Sequence, residues 1–186
     1  MNTNYFDVFD AISFAVKYLK DRDDRPMRPL IMDAFALAGP ASNEDEFIVS
    51  LLFYSCEKSG KARSRLESLP LERHIRMAVQ MLQLNTSDHI PNPFQHRIDL
   101  LRIRCNSANK SDSLAGYLAV SVFCRHISLS ESQIKDDIHY YEQKPQTPKT
   151  EQAIKNLKSR LEGVRSEKRC LLDYFGGLYC AVEMNL

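Results

Sequence analysis

The chain has 186 residues, 44% apolar and 26% charged, with 25 Lys and Arg against 24 Asp and Glu. That is enough chain for one domain with a substantial core, in an ordinary globular composition. A formal net charge of +1 supplies no field to recruit nucleic acid or an anionic membrane, and no apolar stretch approaches the roughly 20 residues that span a bilayer. Met1–Tyr5 lacks the basic and apolar segments of a signal peptide. Cys56, Cys105, Cys124, Cys170 and Cys180 are scattered without CxxC spacing. Reduced thiols in a cytoplasmic protein are the expectation.

In chain order, Phe6, Phe9, Ile12, Phe14, Ala15, Tyr18 and Leu19 predict a helix over about 5–20 with one apolar stripe. A charged loop, Lys20 to Pro26, follows, and Pro26 and Pro29 delay the next helix. Leu30 to Ala38 is apolar except for Asp33 and ends at Gly39-Pro40. Ser42-Asn43-Glu44-Asp45 supplies a cap and first-turn acids for a helix from about Asp45 to Glu57. A short helix over 61–68 and another opening at Pro70-Leu71-Glu72 come next, then a loop from Asn85 to Pro93. Phe94 to Arg104 is periodic, Asn106 to Asp112 reads as irregular, and Leu114 to Ile127 and Ser130 to Tyr141 read as two helices. Gln143 to Lys149 carries two prolines and reads as a hinge. Thr150 then caps a helix through Ile154, Leu157, Leu161 and Val164. The tail from Leu171 is apolar, interrupted at Gly176-Gly177. No convincing period-2 strand and no repeat emerge, so the prediction is all-α with about eight to ten helices.

Six segments carry a resemblance. Ala11-Ile12-Ser13-Phe14-Ala15 matches an A-x-x-F-A opening. Pro29 to Ala38 follows P-Y-x-x-H-P-x-x-V-A with Asp33 at the histidine. Ser50 to Lys58 follows A-L-L-H-D-x-x-E-D with Phe53-Tyr54 at the His-Asp pair and Glu57 at the first acid. Arg102 to Asp112 follows K-L-A-D-K-x-x-N-x-x-D with Cys105 at the aspartate, and Asn109 and Asp112 agree. Ser130 to Tyr141 follows S-E-x-x-V-x-x-Y-F-x-W, and Thr150 to Val164 matches a closing helix. In order and spacing over roughly residues 5–165, the chain resembles the HD hydrolases of the RelA/SpoT type, in particular small alarmone hydrolases. The resemblance implies an HD-domain-like helical bundle.

Members of that family are metal-dependent hydrolases of the alarmone ppGpp. Their Mn2+, held by His, His-Asp and Asp, polarises a water for attack on phosphorus. The positions that match those ligands hold Asp33, Phe53, Tyr54 and Cys105. Phe53 cannot coordinate, Tyr54 has an ordinary pKa near 10, and Asp33 with Cys105 is a two-ligand set of mixed hardness. The expectation is therefore no bound metal and no cofactor. No catalytic residue is assigned, although Glu57 matches the family's catalytic glutamate. Asp33 should find a basic partner, Arg102 or Arg104, or reach solvent.

Candidates to hold phosphate are Arg22, Arg25 and Arg28 in the charged loop, whose counterpart contacts the nucleotide in the family, and Arg102, Arg104 and Asn109. Guanidinium forks suit phosphate, but Asp21, Asp23 and Asp24 interleave with the loop, and a solvated loop explains it as well. Three functional readings stand. One is a catalytically degenerate pseudoenzyme retained as a binding or regulatory module, for a phosphorylated nucleotide or a protein partner. The second is an active pyrophosphohydrolase with an altered metal centre. The third is a helical interaction protein without a small-molecule site. The expected organisation is an HD-like domain over 1–142, a hinge at 143–149, and a helix with apolar tail over 150–186. That last segment should pack on the domain or, in a homodimer, on a second copy.

Overall fold

Asp7 opens the first helix, α1 (Val8–Leu19): its carboxylate accepts the Asp10 amide at 2.9 Å, and the Asp10 carboxylate accepts the Asp7 amide at 3.2 Å. This reciprocal cap satisfies two of the amide groups that every helix start leaves without a partner. The computed structural model describes residues 5–20, 23–25, 28–83 and 92–183, with side chains for all of these except 23–25, 28 and 177–183. The buried face of α1 is Ala11, Phe14, Ala15 and Leu19. Phe9, expected on the apolar stripe, is instead 77% exposed, because a 3.6-residue period that places Ala11 and Ala15 inward turns position 9 outward.

The charged loop contains two very short antiparallel strands, β1 (Asp23–Arg25) and β2 (Arg28–Pro29), where no strand was expected. They do not change the class: among the described residues eight α-helices make the chain all-α. α2 (Leu30–Ala38) buries Leu30, Asp33, Ala34, Leu37 and Ala38, one clean stripe with the carboxylate on it. α3 (Glu44–Lys58), capped by Asn43, is buried without interruption from Ile48 to Cys56. A helix apolar on all sides must be surrounded, and α3 packs against α1, α2, a short α4 (Gly60–Arg65) and α5 (Arg73–Leu82). A single 3-10 turn, Leu66–Ser68, joins α4 towards α5. Arg76 of α5 donates to the carbonyls of Leu66, Glu67 and Leu69 along this turn.

Asn92 caps α6 (Pro93–Cys105), with Pro93 in the first position, where its missing N–H costs nothing. Asn109 then caps α7 (Lys110–Glu142), its Oδ1 accepting from the amides of Ser111 and Asp112. The two helices expected over 114–127 and 130–141 are one. Ser128, Ser130 and Ser132 lower the hydropathy without the Gly or Pro that would end a helix. The chain divides into two compact units, one reaching Phe123 and the other running from Cys124, so the boundary falls inside α7.

Within the second unit a turn at residues 143–147 separates α7 from α8 (Pro148–Glu183). Thr147, rather than the expected Thr150, occupies the cap position: Thr150 Oγ1 accepts the Thr147 amide and Thr147 Oγ1 accepts the Thr150 amide. Pro148 is thereby the first helical residue. Ile134, Ile138 and Leu161 form a small core, with Leu157 and Val164 packed against it. The helical path is broken at Phe175 (φ −129°, ψ 26°), one residue before the expected interruption, and resumes through Gly176-Gly177.

Candidate functional site

Asp33 projects from the buried face of α2 and Phe53 and Tyr54 from the centre of α3. All three are closed to solvent, at 2%, 3% and 2% exposure. The Tyr54 hydroxyl donates to Asp33 Oδ2 at 3.2 Å. That is longer than the roughly 2.5–2.7 Å of the strongest O–H···O⁻ contacts, but a buried carboxylate benefits from every donor it receives. Lys58, one turn further along α3, sets its Nζ 5.5 Å from the centroid of the Tyr54 ring, within range of a cation–π contact. Glu57 is exposed in the last turn of α3.

Asp33 therefore neither reaches solvent nor draws Arg104. Arg104 Nη1 lies 2.7 Å from Asp112 Oδ2, and Arg73 Nη2 lies 3.4 Å from the other oxygen of the same carboxylate. Asp112, the first-turn acid of α7, is thus a junction of α5, α6 and α7. Arg102 is exposed near the end of α6, its carbonyl accepting from the Asn106 side chain. Asn109 spends its side-chain oxygen on the α7 cap. Arg22 lies outside the described residues. Arg25 and Arg28 are described only as paired backbone in the β1–β2 ribbon.

Cys105 closes α6 and is half-buried. Gly116 of α7 approaches it so closely that a Cβ there would sit 2.7 Å from the Cys105 nitrogen, and Ser113 donates to the Cys105 carbonyl. Burial pushes the Cys105 thiol up to about 11. It pushes Cys56 up to about 11 as well, against the smaller opposing effects of the Gln83 hydrogen bond and the Arg63 charge. Cys56, Cys105, Cys124 and Cys170 are free thiols, and Cys180 lies outside the described side chains. A thiol that stays protonated at neutral pH is a poor metal ligand, since the thiolate is the binding form. Among the described residues no three His, Cys, Asp or Glu side chains gather closely enough to hold an ion.

Glu46, on the first turn of α3 and 3% exposed, accepts from the Ser42 amide at 2.7 Å, from the Ser42 hydroxyl, and from Ser121 of α7. Glu46 lies three residues after the cap, Asn43, and nothing in the sequence named Ser121 as its partner. His74 directs Nε2 at Asp45 (2.9 Å), with Glu72 3.5 Å from Nδ1. In the second unit, Glu131 faces Lys135, Arg165 and Lys168, and the Lys135 hydrogen bond leads the causes that hold its carboxyl below the ordinary value. Two open grooves of about 560 and 500 Å³ flank α7 and α8 there, sharing Glu142 and Lys158.

Comparison with protein-family models, with curated proteins and with solved structures gave no match. Among the described residues no helix is long and apolar enough to cross a membrane.

Proposed function

We propose that this chain is a non-hydrolytic relative of the RelA/SpoT-type HD hydrolases, acting in the cytoplasm as a binding or regulatory module. The hydrogen bond between Tyr54 and Asp33 carries the reading. These residues match two of the four metal-ligand positions of that family, lie 21 residues apart in sequence, and meet in the interior of the first unit. In an active member the corresponding groups would converge on an ion. Here a phenol and a carboxylate bind each other, and Phe53 is buried on the same helix, α3. A phenol bound to the carboxylate competes with an ion that would activate water there. With the centre closed, binding falls to the surface, to a phosphorylated nucleotide at exposed arginines such as Arg102 or to a protein partner.

Two measurements on the purified chain test this. Elemental analysis after chelator-free purification should find no stoichiometric Mn, Zn or Fe, and a manganese-supplemented assay should show no hydrolysis of guanosine tetraphosphate. One equivalent of metal, or turnover abolished by Glu57→Gln, would replace the proposal with an active enzyme. A thermal-shift panel of nucleotides including alarmones then decides the ligand class. A nucleotide at a hundred times its dissociation constant stabilises the native state by about 2.7 kcal/mol, a readily measured rise in melting temperature.

A further inference from the structure

On α7, Cys124, Ile127, Glu131, Ile134, Ile138 and Tyr141 recur at alternating steps of three and four residues. On α8, Leu157, Leu161, Val164, Lys168, Leu171 and Phe175 do the same. This is the spacing of a coiled-coil seam. Ile134 and Ile138 meet Leu161 in one cluster, Lys158 Nζ lies 3.4 Å from Glu142, and Lys168 Nζ lies 3.5 Å from Glu131. Residue numbers fall along one helix as they rise along the other, so the pair is antiparallel. Each seam carries a single charged member, Glu131 on α7 and Lys168 on α8, and these two face each other. Glu131 is only 13% exposed at its side chain and Lys168 25%.

An apolar seam of regular spacing tolerates slippage by one heptad, because each knob finds an equivalent hole. The two charges remove that freedom. A slip of one heptad would set Glu131 against Leu161 or Phe175, and Lys168 against Ile138 or Cys124. Either places a half-buried charge among apolar side chains. We propose that the Glu131–Lys168 pair is a register pin that selects one alignment of α8 along α7. The larger groove is lined from both helices, by Lys135, Ile138 and Glu142 on one side and Lys158, Leu161 and Arg165 on the other. Its pattern of charge therefore exists in one alignment alone.

Cysteine cross-linking of the full chain tests the pin. E142C with K158C reports the observed alignment, and E142C with E151C reports α8 displaced by one heptad. Oxidation at low protein concentration with peptide mapping separates these links from those of the native cysteines. With the native seam the first pair should link and the second should not. In a background of E131L and K168L both pairs should link, while helix content by circular dichroism is retained. In a K168E background, which opposes two carboxylates, the first link should weaken. Native-only linking in the double-leucine background, or an undiminished first link in the K168E background, would overturn the proposal. So would loss of helix in the double-leucine background, because an all-apolar seam should keep both helices formed.

Discussion

Tyr54→Phe isolates the one contact on which the reading of the buried centre depends. The substitution keeps the ring, its packing in α3 and the nearby Lys58 ammonium, and removes only the hydroxyl that donates to Asp33 Oδ2. A hydrogen bond to a charged group contributes about 1.5–3 kcal/mol. The 3.2 Å length argues for the lower part of that range. At 2% exposure Asp33 has no room to recover the donor from bulk water, so the loss should appear nearly in full. For a chain of this size it corresponds to a melting temperature lower by roughly 3–12 °C. Urea unfolding followed by circular dichroism measures the change. Because the chain forms two compact units, amide hydrogen exchange in α2 and α3 should accompany it and locate the loss there. Asp33→Asn completes a double-mutant cycle in which the two changes together cost less than their sum, with a coupling of about 1 kcal/mol. A Tyr54→Phe protein within about 0.5 kcal/mol of the parent, or strict additivity with Asp33→Asn, would refute the argument.

Two further outcomes follow from burial and close packing. Cys56 and Cys105 are raised from 9.0 to about 11. Their thiolate fractions near pH 8 should be about a hundredfold below those of the unfolded chain, and alkylation in native buffer correspondingly slow. The unfolded state releases these protons first, so their contribution to stability is complete below pH 9 and declines towards pH 11; the difference from a Cys56→Ala, Cys105→Ala variant measures it. Rapid native labelling at both sites would show the burial to be wrong. Gly116→Ala would drive a Cβ to 2.7 Å from the Cys105 nitrogen and 2.9 Å from the Arg104 carbonyl carbon. Backbone cannot yield as a side-chain tip can, so a loss of about 1–3 kcal/mol is expected in denaturant unfolding, and an unchanged midpoint would count against the α6–α7 packing.

Local chemistry made much of the fold legible. The stripe of Leu30, Ala34 and Leu37, the cap before Glu44 and the prolines ahead of α8 each dictate their element from within one turn or two. The failures have a common cause in information held at longer range. Ser128 to Ser132 looks like a break because its polarity is local, whereas α7 continues because Ile127 and Ile134 lie on either side of it along one stripe. Thr150 resembles a cap until Thr147 and Pro148 take the first positions. Arg104 was a candidate partner for Asp33, yet it pairs with Asp112, which Arg73 approaches from α5. Which acid meets which base across tens of residues is a property of packing, and no periodicity encodes it. Glu131 and Lys168 were legible in principle, as the one charged member of each of two seams. Their pairing is a property of the two heptads together and of neither alone.

On the proposed ancestry, the exchange of a His-Asp pair for Phe53-Tyr54 answers an electrostatic problem. A metal centre tolerates buried carboxylates because the ion's charge balances them. Without the ion, each carboxylate left in the interior must find donors or a cation, or remain protonated. Replacing the pair's aspartate with Tyr54 removes one buried charge outright and supplies a hydroxyl for the charge that stays, Asp33. The adjacent Phe53, 3% exposed, adds apolar burial. Neither ring supplies positive charge, but the Lys58 ammonium 5.5 Å from the Tyr54 centroid brings one to the edge of the cluster. The position matching the catalytic glutamate, Glu57, lies one residue before Lys58 and faces solvent. On that ancestry the polar inventory of the centre would have changed as a set, with a donor for Asp33, a buried ring next to Tyr54 in sequence, and a cation near the Tyr54 ring. Reversing Phe53 and Tyr54 alone would place an imidazole and a second carboxylate into a closed interior whose remaining groups are arranged around one carboxylate and a phenol. Such a reversal recreates the cost of the old centre without the geometry that once offset it.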